Sequence, residues 1–391
     1  MAKALQPSFD VCVRGAGVVG RVLALLLARA SLRVALVVPS QGEAADTGHG
    51  DVRAYALNRA SRAMLESFRC WPTSPACSPV RSMRIWGDDG GELEFQAAQA
   101  GAEALAWIMD VPALEALLAQ AVQFQGHIDV VAEPVDAPLT VVCEGRASAT
   151  RAGLAAEWDL MPYRHTAIAA RLEGAQAHES VARQWFQAPR APDAGDAGAD
   201  VVALLPMQGN SVALVWSVHH DRAAQLMAAT DLDFCNELAV ACHQPADSFR
   251  LSSLRQAWPL QLAQARAWVG TLRDNASQSW ALAGDAAHTV HPLSGQGLNL
   301  GLADAAELAR VISTREAWRS VADLKPLRAY ERARKLDAAL LAGATDGLQR
   351  LFGHTDSRLS VLRNQGMRWF DASPLLKHWV AGRAMGSPKP F

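Results

Sequence analysis

Residues Val11–Gly20 read VCVRGAGVVG, and they restrict the fold of this chain more than any other stretch. Phe9–Val13 is a short apolar run, Val18–Ala30 is rich in helix formers, and Leu32–Val38 (LRVALVV) is continuous and β-branched, as expected of a strand buried on both faces. The order strand, glycine turn, helix, strand is a β-turn-α-β unit and puts the chain in the α/β class. Gly15, Gly17 and Gly20 fit G-x-G-x-x-G. The first glycine allows a tight turn, the second a close backbone approach to a pyrophosphate, and the third close packing of helix on strand. The helix start at Val18, Val19 and Gly20 then offers unpaired N–H groups and a positive dipole end to phosphates. The motif is expected to cradle a dinucleotide; a glycine-rich turn without a ligand is the bland alternative. The acid that usually ends the second strand of such a unit is displaced. That strand runs out at Val37-Val38-Pro39-Ser40, and the nearest acid is Glu43, so Ser40 and Glu43 are the candidates for a ribose contact.

With 391 residues, two or three domains are expected. Half the residues are hydrophobic and 19% are charged, which excludes intrinsic disorder. The 37 basic and 39 acidic residues nearly balance, so nothing recommends a nucleic-acid partner. Six cysteines without a C-x-x-C pair suit a reduced, cytoplasmic chain and no zinc site. The most apolar stretch, Val18–Val38, contains Arg21, Arg29 and Arg33 and is expected to be a helix and a buried strand, not a membrane span. Further helices are expected over residues 58–68, Val111–Phe124, 222–243 and 323–352. Strands are expected at MRIW, GELEF, HIDVV, PLTVVCEGR, VVALLP and SVALVWSV.

A second strand-loop-helix unit lies at residues 280–301, WALAGDAAHTVHPLSGQGLNLG. A strand delivers Gly284-Asp285 to a loop, and Gly295-Gln296-Gly297 leads into a helix, which makes a second anion-stabilising helix start. The two units bracket a strand-rich region, so one nucleotide-binding domain is expected to be built from distant pieces. Asp285, His288 and His291 form D-x-x-H-x-x-H, but the loop has a fuller explanation than a metal site. Cys235 and Cys242 read as small core residues, and His219-His220 as partly exposed polar surface.

The run GDAAHTVHPLSGQGLNLGLADAAELA resembles the second FAD motif of the class A flavin monooxygenases, and its wording is similar to their ubiquinone-biosynthesis hydroxylases. DVRAYALNRASRAML, ALAWIMDVPALEALL, ARQWF, ALLPMQGNSVALVWS and YERARKLDAALLAGATDGLQRLF fit the same family in the same order. The resemblance implies an α/β fold. A Rossmann-like FAD-binding domain would comprise residues 1–72, 98–160 and 270–350, with a strand-rich α+β substrate domain over 73–97 and 161–269 and a C-terminal helical segment over 351–391. It also implies that Gly15, Gly17, Val18, Val19 and Gly20 hold the ADP half of FAD and that Asp285 binds its ribityl or ribose region. Arg53 would lie near the flavin or its phosphates, and the loop Pro292, Gly295, Gln296, Gly297, Leu298 and Asn299 against the flavin ring.

The implied reaction is hydroxylation of an aromatic ring with O₂ and NADH or NADPH, the substrate being a polyprenylated phenol of ubiquinone biosynthesis. No catalytic acid or base stands out. A soluble aromatic substrate and a non-catalytic accessory role in a biosynthetic complex stay open. Three positions depart from the family's wording. The middle Asp-Gly motif stands as Glu144-Gly145-Arg146-Ala147-Ser148-Ala149-Thr150-Arg151, the segment 128–142 before it is short, and Asp110-Val111-Pro112 lacks an Asn-Arg pair. In the C-terminal stretch 366–386, Leu375, Leu376, Trp379 and Val380 share one helical face. That face is expected either to touch the inner membrane surface peripherally or to dock on protein.

Overall fold

The computed structural model describes residues 9–38, 52–87, 91–154, 156–174, 177–187, 199–289 and 296–353, with main chain alone for 342 and 344–353. Ser40, Glu43, His291, Pro292, Gly295 and the amphipathic stretch 366–386 therefore lie outside the described residues. In chain order the elements are β1 (Val11–Arg14), α1 (Val18–Arg29), β2 (Val34–Val37), β3 (Ala54–Leu57), α2 (Arg59–Ser67), β4 (Cys77–Val80), β5 (Ser82–Trp86), β6 (Glu92–Gln96), β7 (Ala106–Asp110), α3 (Val111–Gln123), β8 (Ile128–Val131), β9 (Leu139–Val142) and α4 (Ala149–Gly153). There follow β10 (Trp158–Gly174), β11 (Val181–Gln187), β12 (Asp200–Pro206), β13 (Ser211–His219), α5 (His220–Ala228), α6 (Asp231–Ala241), β14 (Phe249–Leu251), β15 (Gln256–Ala265), β16 (Val269–Thr271), β17 (Ser279–Leu282), β18 (His288–Thr289), α7 (Gly297–Ser313) and α8 (Leu324–Gly353).

Among the described residues these strands make three sheets. The first has the order β16-β17-β9-β1-β2-β8, and every neighbouring pair is parallel except β16 with β17. Both its faces are covered, which is why β1 and β2 are apolar throughout: Val11, Val13, Val34 and Leu36 are buried on one face, and Cys12, Ala35 and Val37 on the other. Helix α1 lies against this sheet, with α7 and α3 beside it, and its Val22, Leu23 and Leu27 have no exposed surface.

The segment 128–142 is short because its strands are joined directly. From β8 at one edge to β9 beyond β1 is three strand spacings, roughly 14 Å. The seven residues 132–138 can span about 23 Å. The bridge lies over the sheet, and its Val135 and Ala137 pack on Cys12 and Val37.

The second sheet has nine strands, in the order β18-β15-β10-β13-β12-β11-β5-β6 with β14 beside β10. Alternation along these strands assigns one face to α5 and α6: Ile168, Leu214 and Trp216 pack with Phe234 and Leu238. Cys235 and Cys242 are buried in that cluster. The helical stretch expected over 222–243 divides in two because Thr230 caps α6, its Oγ1 accepting the Asp233 N–H at 3.1 Å. On the opposite face Leu205 and Met207 meet Val80 and Ile108 of the small third sheet, β3-β7-β4. Asp110, at the end of β7, forms an ion pair with Arg171 of β10 at 2.6 Å. This pair joins the sheets where the family's wording has its Asn-Arg.

Two junctions bring the nine-stranded sheet to the first sheet. β10 begins shortly after α4, and β18 follows the Gly284-Asp285 turn and pairs with β15 (Thr289 opposite Ala263). The turn at the end of β17 is thereby continuous with the edge of the nine-stranded sheet.

Candidate cofactor site

The carboxyl ends of β1, β9 and β17 meet, and that is where the glycine motifs lie. Gly15 has φ +102°, and a Cβ there would fall 2.5 Å from the Cys143 carbonyl oxygen. A Cβ on Gly20 would fall 1.9 Å from the Gly15 carbonyl oxygen. Both positions exclude a side chain because backbone occupies the space. Gly17 differs: a Cβ there would meet nothing within 4 Å, so its room lies in front of the helix start. Helices α1, α3 and α7 have no side-chain cap, whereas α2, α4 and α6 are capped by Asn58, Ser148 and Thr230; of these three uncapped starts, those of α1 and α7 carry glycine. Gly297, the first residue of α7, also has open space where its side chain would be. Two uncapped helix starts with open glycines suit an anionic ligand. The residues present therefore fit the pyrophosphate-bearing group that the motifs imply.

Val19 holds the pieces together. A Cβ on Gly301 of α7 would lie 2.7 Å from a Val19 methyl and 3.2 Å from the Cα of Gly284. Three segments far apart in sequence thus pack on one another with no atom to spare.

The Glu144 loop is fastened beside Gly15. The Glu144 carboxylate accepts from Thr150 Oγ1 at 2.6 Å, Ser148 Oγ at 2.7 Å and the Thr150 N–H at 3.2 Å. Arg14, at the end of β1, pairs with it at 3.1 Å. Burial works against the charge, but these hydrogen bonds and Arg14 outweigh it and hold the carboxyl below the usual range. Glu144 thus fastens this loop through its own network. Arg151 in the same loop donates to the Ala286 carbonyl at 3.2 Å and lies over the Trp158 ring, so it ties α4 to the turn that follows β17.

That turn presents Asp285. Gly284 has φ +63°, and Asp285 projects from the turn with its side chain reachable by solvent. The crowded walls around it raise the pKa of the carboxyl, opposed by His288, Arg146 and Arg53. Arg53, exposed at the start of β3, thereby belongs to the same electrostatic neighbourhood as Asp285.

Asn299 serves the protein with its side chain. Its Oδ1 accepts from the Asn58 N–H at 3.0 Å and Ser61 Oγ at 2.7 Å, and its Nδ2 donates to the Ala56 carbonyl at 2.8 Å. It clamps β3 and α2 to the start of α7, so any contact it makes to a cofactor is through its main chain. Leu298 packs half-buried against the main core, and Gln296 accepts from Asn299.

Three residues behind the turn escaped the sequence motifs in their actual role. Asp304 accepts from His288 Nε2 at 2.6 Å, from Arg334 Nε at 2.7 Å and from the Gly284 N–H at 3.0 Å. The sequence holds a trace of them: Asp304 and Arg334 each interrupt the apolar stripe of a helix, between Leu302 and Leu308 and between Leu327 and Ala338.

A model of the family described as an FAD binding domain matches residues 97–344. The chain belongs to this FAD-binding family. The match begins after Gly15–Gly20, and the geometry supplies that part by seating Gly15 on Cys143 and Glu144. The chain is 28% identical to a ubiquinone hydroxylase, UbiL, of Rhodospirillum rubrum, over 97% of this chain and 90% of that one. It is 26% identical to the 3-demethoxyubiquinol 3-hydroxylase of Escherichia coli, over 97% and 99%. Among solved structures it resembles the p-nitrophenol 4-monooxygenase PnpA of Pseudomonas putida, with a TM-score of 0.72, 15% identity and coverage of 95% and 96%. The fold is that of FAD-dependent monooxygenases, and the cofactor is FAD.

Proposed function

We propose that this flavoprotein hydroxylates the aromatic ring of a polyprenylated phenol or quinol in ubiquinone biosynthesis, using NADH or NADPH and O₂. The observation that carries the proposal is the convergence of Gly15–Gly20, Gly284-Asp285 and the start of α7 on one site, in a chain whose relatives over nearly its whole length are named for ubiquinone hydroxylation. When bound, FAD supplies the redox chemistry, taking electrons from the nicotinamide and activating O₂.

The protein's own residues bind, orient and exclude water. The uncapped starts of α1 and α7 supply N–H groups to anionic parts of the cofactor. Asp285 accepts from its sugar-alcohol hydroxyls, and Arg53 balances negative charge nearby. The substrate side falls to the face of the nine-stranded sheet turned away from α5 and α6. There Ala167 and Ala169 of β10 stand opposite Trp258 and Gln256 of β15, and paired residues share a face. Small side chains beside a tryptophan form a flat apolar wall suited to an aromatic ring, and an apolar wall keeps water from the reacting oxygen. Among the described residues no helix is long and apolar enough to cross a membrane. Contact with a membrane surface or a biosynthetic complex is part of this proposal and involves the C-terminal stretch 366–386.

The test uses FAD-loaded protein with NADH or NADPH, isotopically labelled O₂ and a set of phenols with and without a prenyl chain. The expected result is nicotinamide oxidation stimulated by a prenylated phenol, with one labelled oxygen in the product. A folded, FAD-loaded protein that forms no hydroxylated product with any phenol would move the assignment to an accessory subunit.

A further inference from the structure

Asp304 has no exposed surface, yet it is ionised and fully engaged. Burial opposes its charge, and His288 and Arg334 outweigh that opposition and hold its pKa below the usual range. One oxygen takes the Arg334 guanidinium, and the other takes His288 Nε2 and the Gly284 N–H. The Gly284 bond fixes the left-handed residue from which Asp285 projects. Arg334 comes from α8 and also donates to Asp337 at 2.5 Å and to the Leu300 carbonyl at 3.3 Å. One helical turn earlier, Tyr330 donates to the Leu282 carbonyl at 2.7 Å, at the end of the strand that leads into the turn. His288 is buried with Trp268 stacked on its ring, 4.9 Å between centroids, and among the described residues its Nδ1 has no hydrogen-bond partner. The bond to Asp304, together with the Trp268 stack, orients the ring.

We propose that Arg334, Asp304 and His288 are positioning residues that hold the Gly284-Asp285 turn in its FAD-receiving shape, so that FAD affinity is set by α8 without any of the three touching the cofactor. The inference rests on FAD binding at this site. A carboxylate with three donors has no degenerate alternative arrangement, and removal of one partner leaves a buried charge or N–H unmatched, which the turn relieves by moving.

The experiment titrates apo-protein with FAD by flavin fluorescence and melts the same samples without FAD, for wild type, Asp304→Asn, Arg334→Met and Arg334→Lys. Asp304→Asn and Arg334→Met are expected to weaken FAD binding at least tenfold, and Arg334→Lys to regain most of that loss. A brace with no role at the cofactor would lower the melting temperature and leave the affinity of the folded fraction unchanged, and that result overturns the proposal. If Asp304→Asn does not fold, His288→Gln and His288→Phe decide. Gln keeps an N–H near the Nε2 position and should bind FAD close to wild type, whereas Phe keeps the ring on Trp268 and should bind at least tenfold more weakly. Equal affinities overturn the proposal. A folded wild type that takes no FAD would instead sink the cofactor assignment itself.

Discussion

The glycine-lined end of the six-stranded sheet and the helix-covered face of the nine-stranded sheet are built by different rules. At the first, single atoms decide. Gly20 would place a methyl 1.9 Å from a carbonyl oxygen, and Gly301 would place one 2.7 Å from Val19. At the second, bulk decides: Trp216, Leu214 and Ile168 fill space against Phe234 and Leu238, and shapes of similar volume would serve. The difference teaches why one region announces its chemistry and the other only its class. A backbone that must approach another backbone permits glycine alone, at fixed intervals. An apolar sheet face permits many residues.

The sharpest break of this comparison is Gly20→Ala. It should cost about 3 kcal/mol or more of stability and abolish FAD binding, because the clash is with main chain; urea unfolding and an FAD titration check it. Gly17→Ala is its counterpart. Gly17 has φ −71° and open space around its Cβ, so stability should stay within about 0.5 kcal/mol of wild type, while FAD affinity falls at least tenfold because the methyl stands in the ligand's room.

Glu144→Gln comes next, at about 2 kcal/mol, since charged hydrogen bonds are lost while the fold remains. Its sign with pH is fixed. The folded-state pKa lies below the ordinary 4.5, so the carboxylate's contribution is complete above that value and is lost as the pH falls through the lower one. Melting temperatures taken from neutral to acid pH should therefore fall less steeply below about pH 4.5 in Glu144→Gln than in wild type. The smallest effect belongs to the second region. Trp86 stacks on Trp185 with centroids 4.9 Å apart, and Trp86→Phe should cost about 1 kcal/mol with FAD affinity unchanged.

Much of the first region was legible in the sequence. The β-turn-α-β unit, the spacing of Gly15, Gly17 and Gly20, and the turn at Gly284-Asp285 lie at the ends of β1 and β17, and α7 starts at Gly297. The single helical stretch expected over 222–243 hid a break at Thr230, because a threonine inside a helical pattern shows its capping role only when the turn before it is seen. Asp304 was visible as a charge on an apolar stripe, but its partners stand 16, 20 and 30 residues away on other elements, and no period in the sequence links them. Asn299 stood out in the sequence as a candidate site residue, while the use of its side chain as a clamp depends on β3 and α2 arriving beside α7. The role of Glu144 was likewise hidden, because its local partners Ser148 and Thr150 carry no motif and Arg14 reaches it only once β9 pairs with β1.

The central claim is that three distant segments fold into one FAD site, with Gly17 facing the cofactor. Flavin absorption of the purified protein, followed by FAD titration of apo wild type and Gly17→Ala, tests it most directly. The account predicts one FAD per wild-type chain and a large loss of affinity in Gly17→Ala at an unchanged unfolding midpoint. A folded wild-type protein that takes up no flavin, or a Gly17→Ala variant that binds FAD as wild type does, would contradict it.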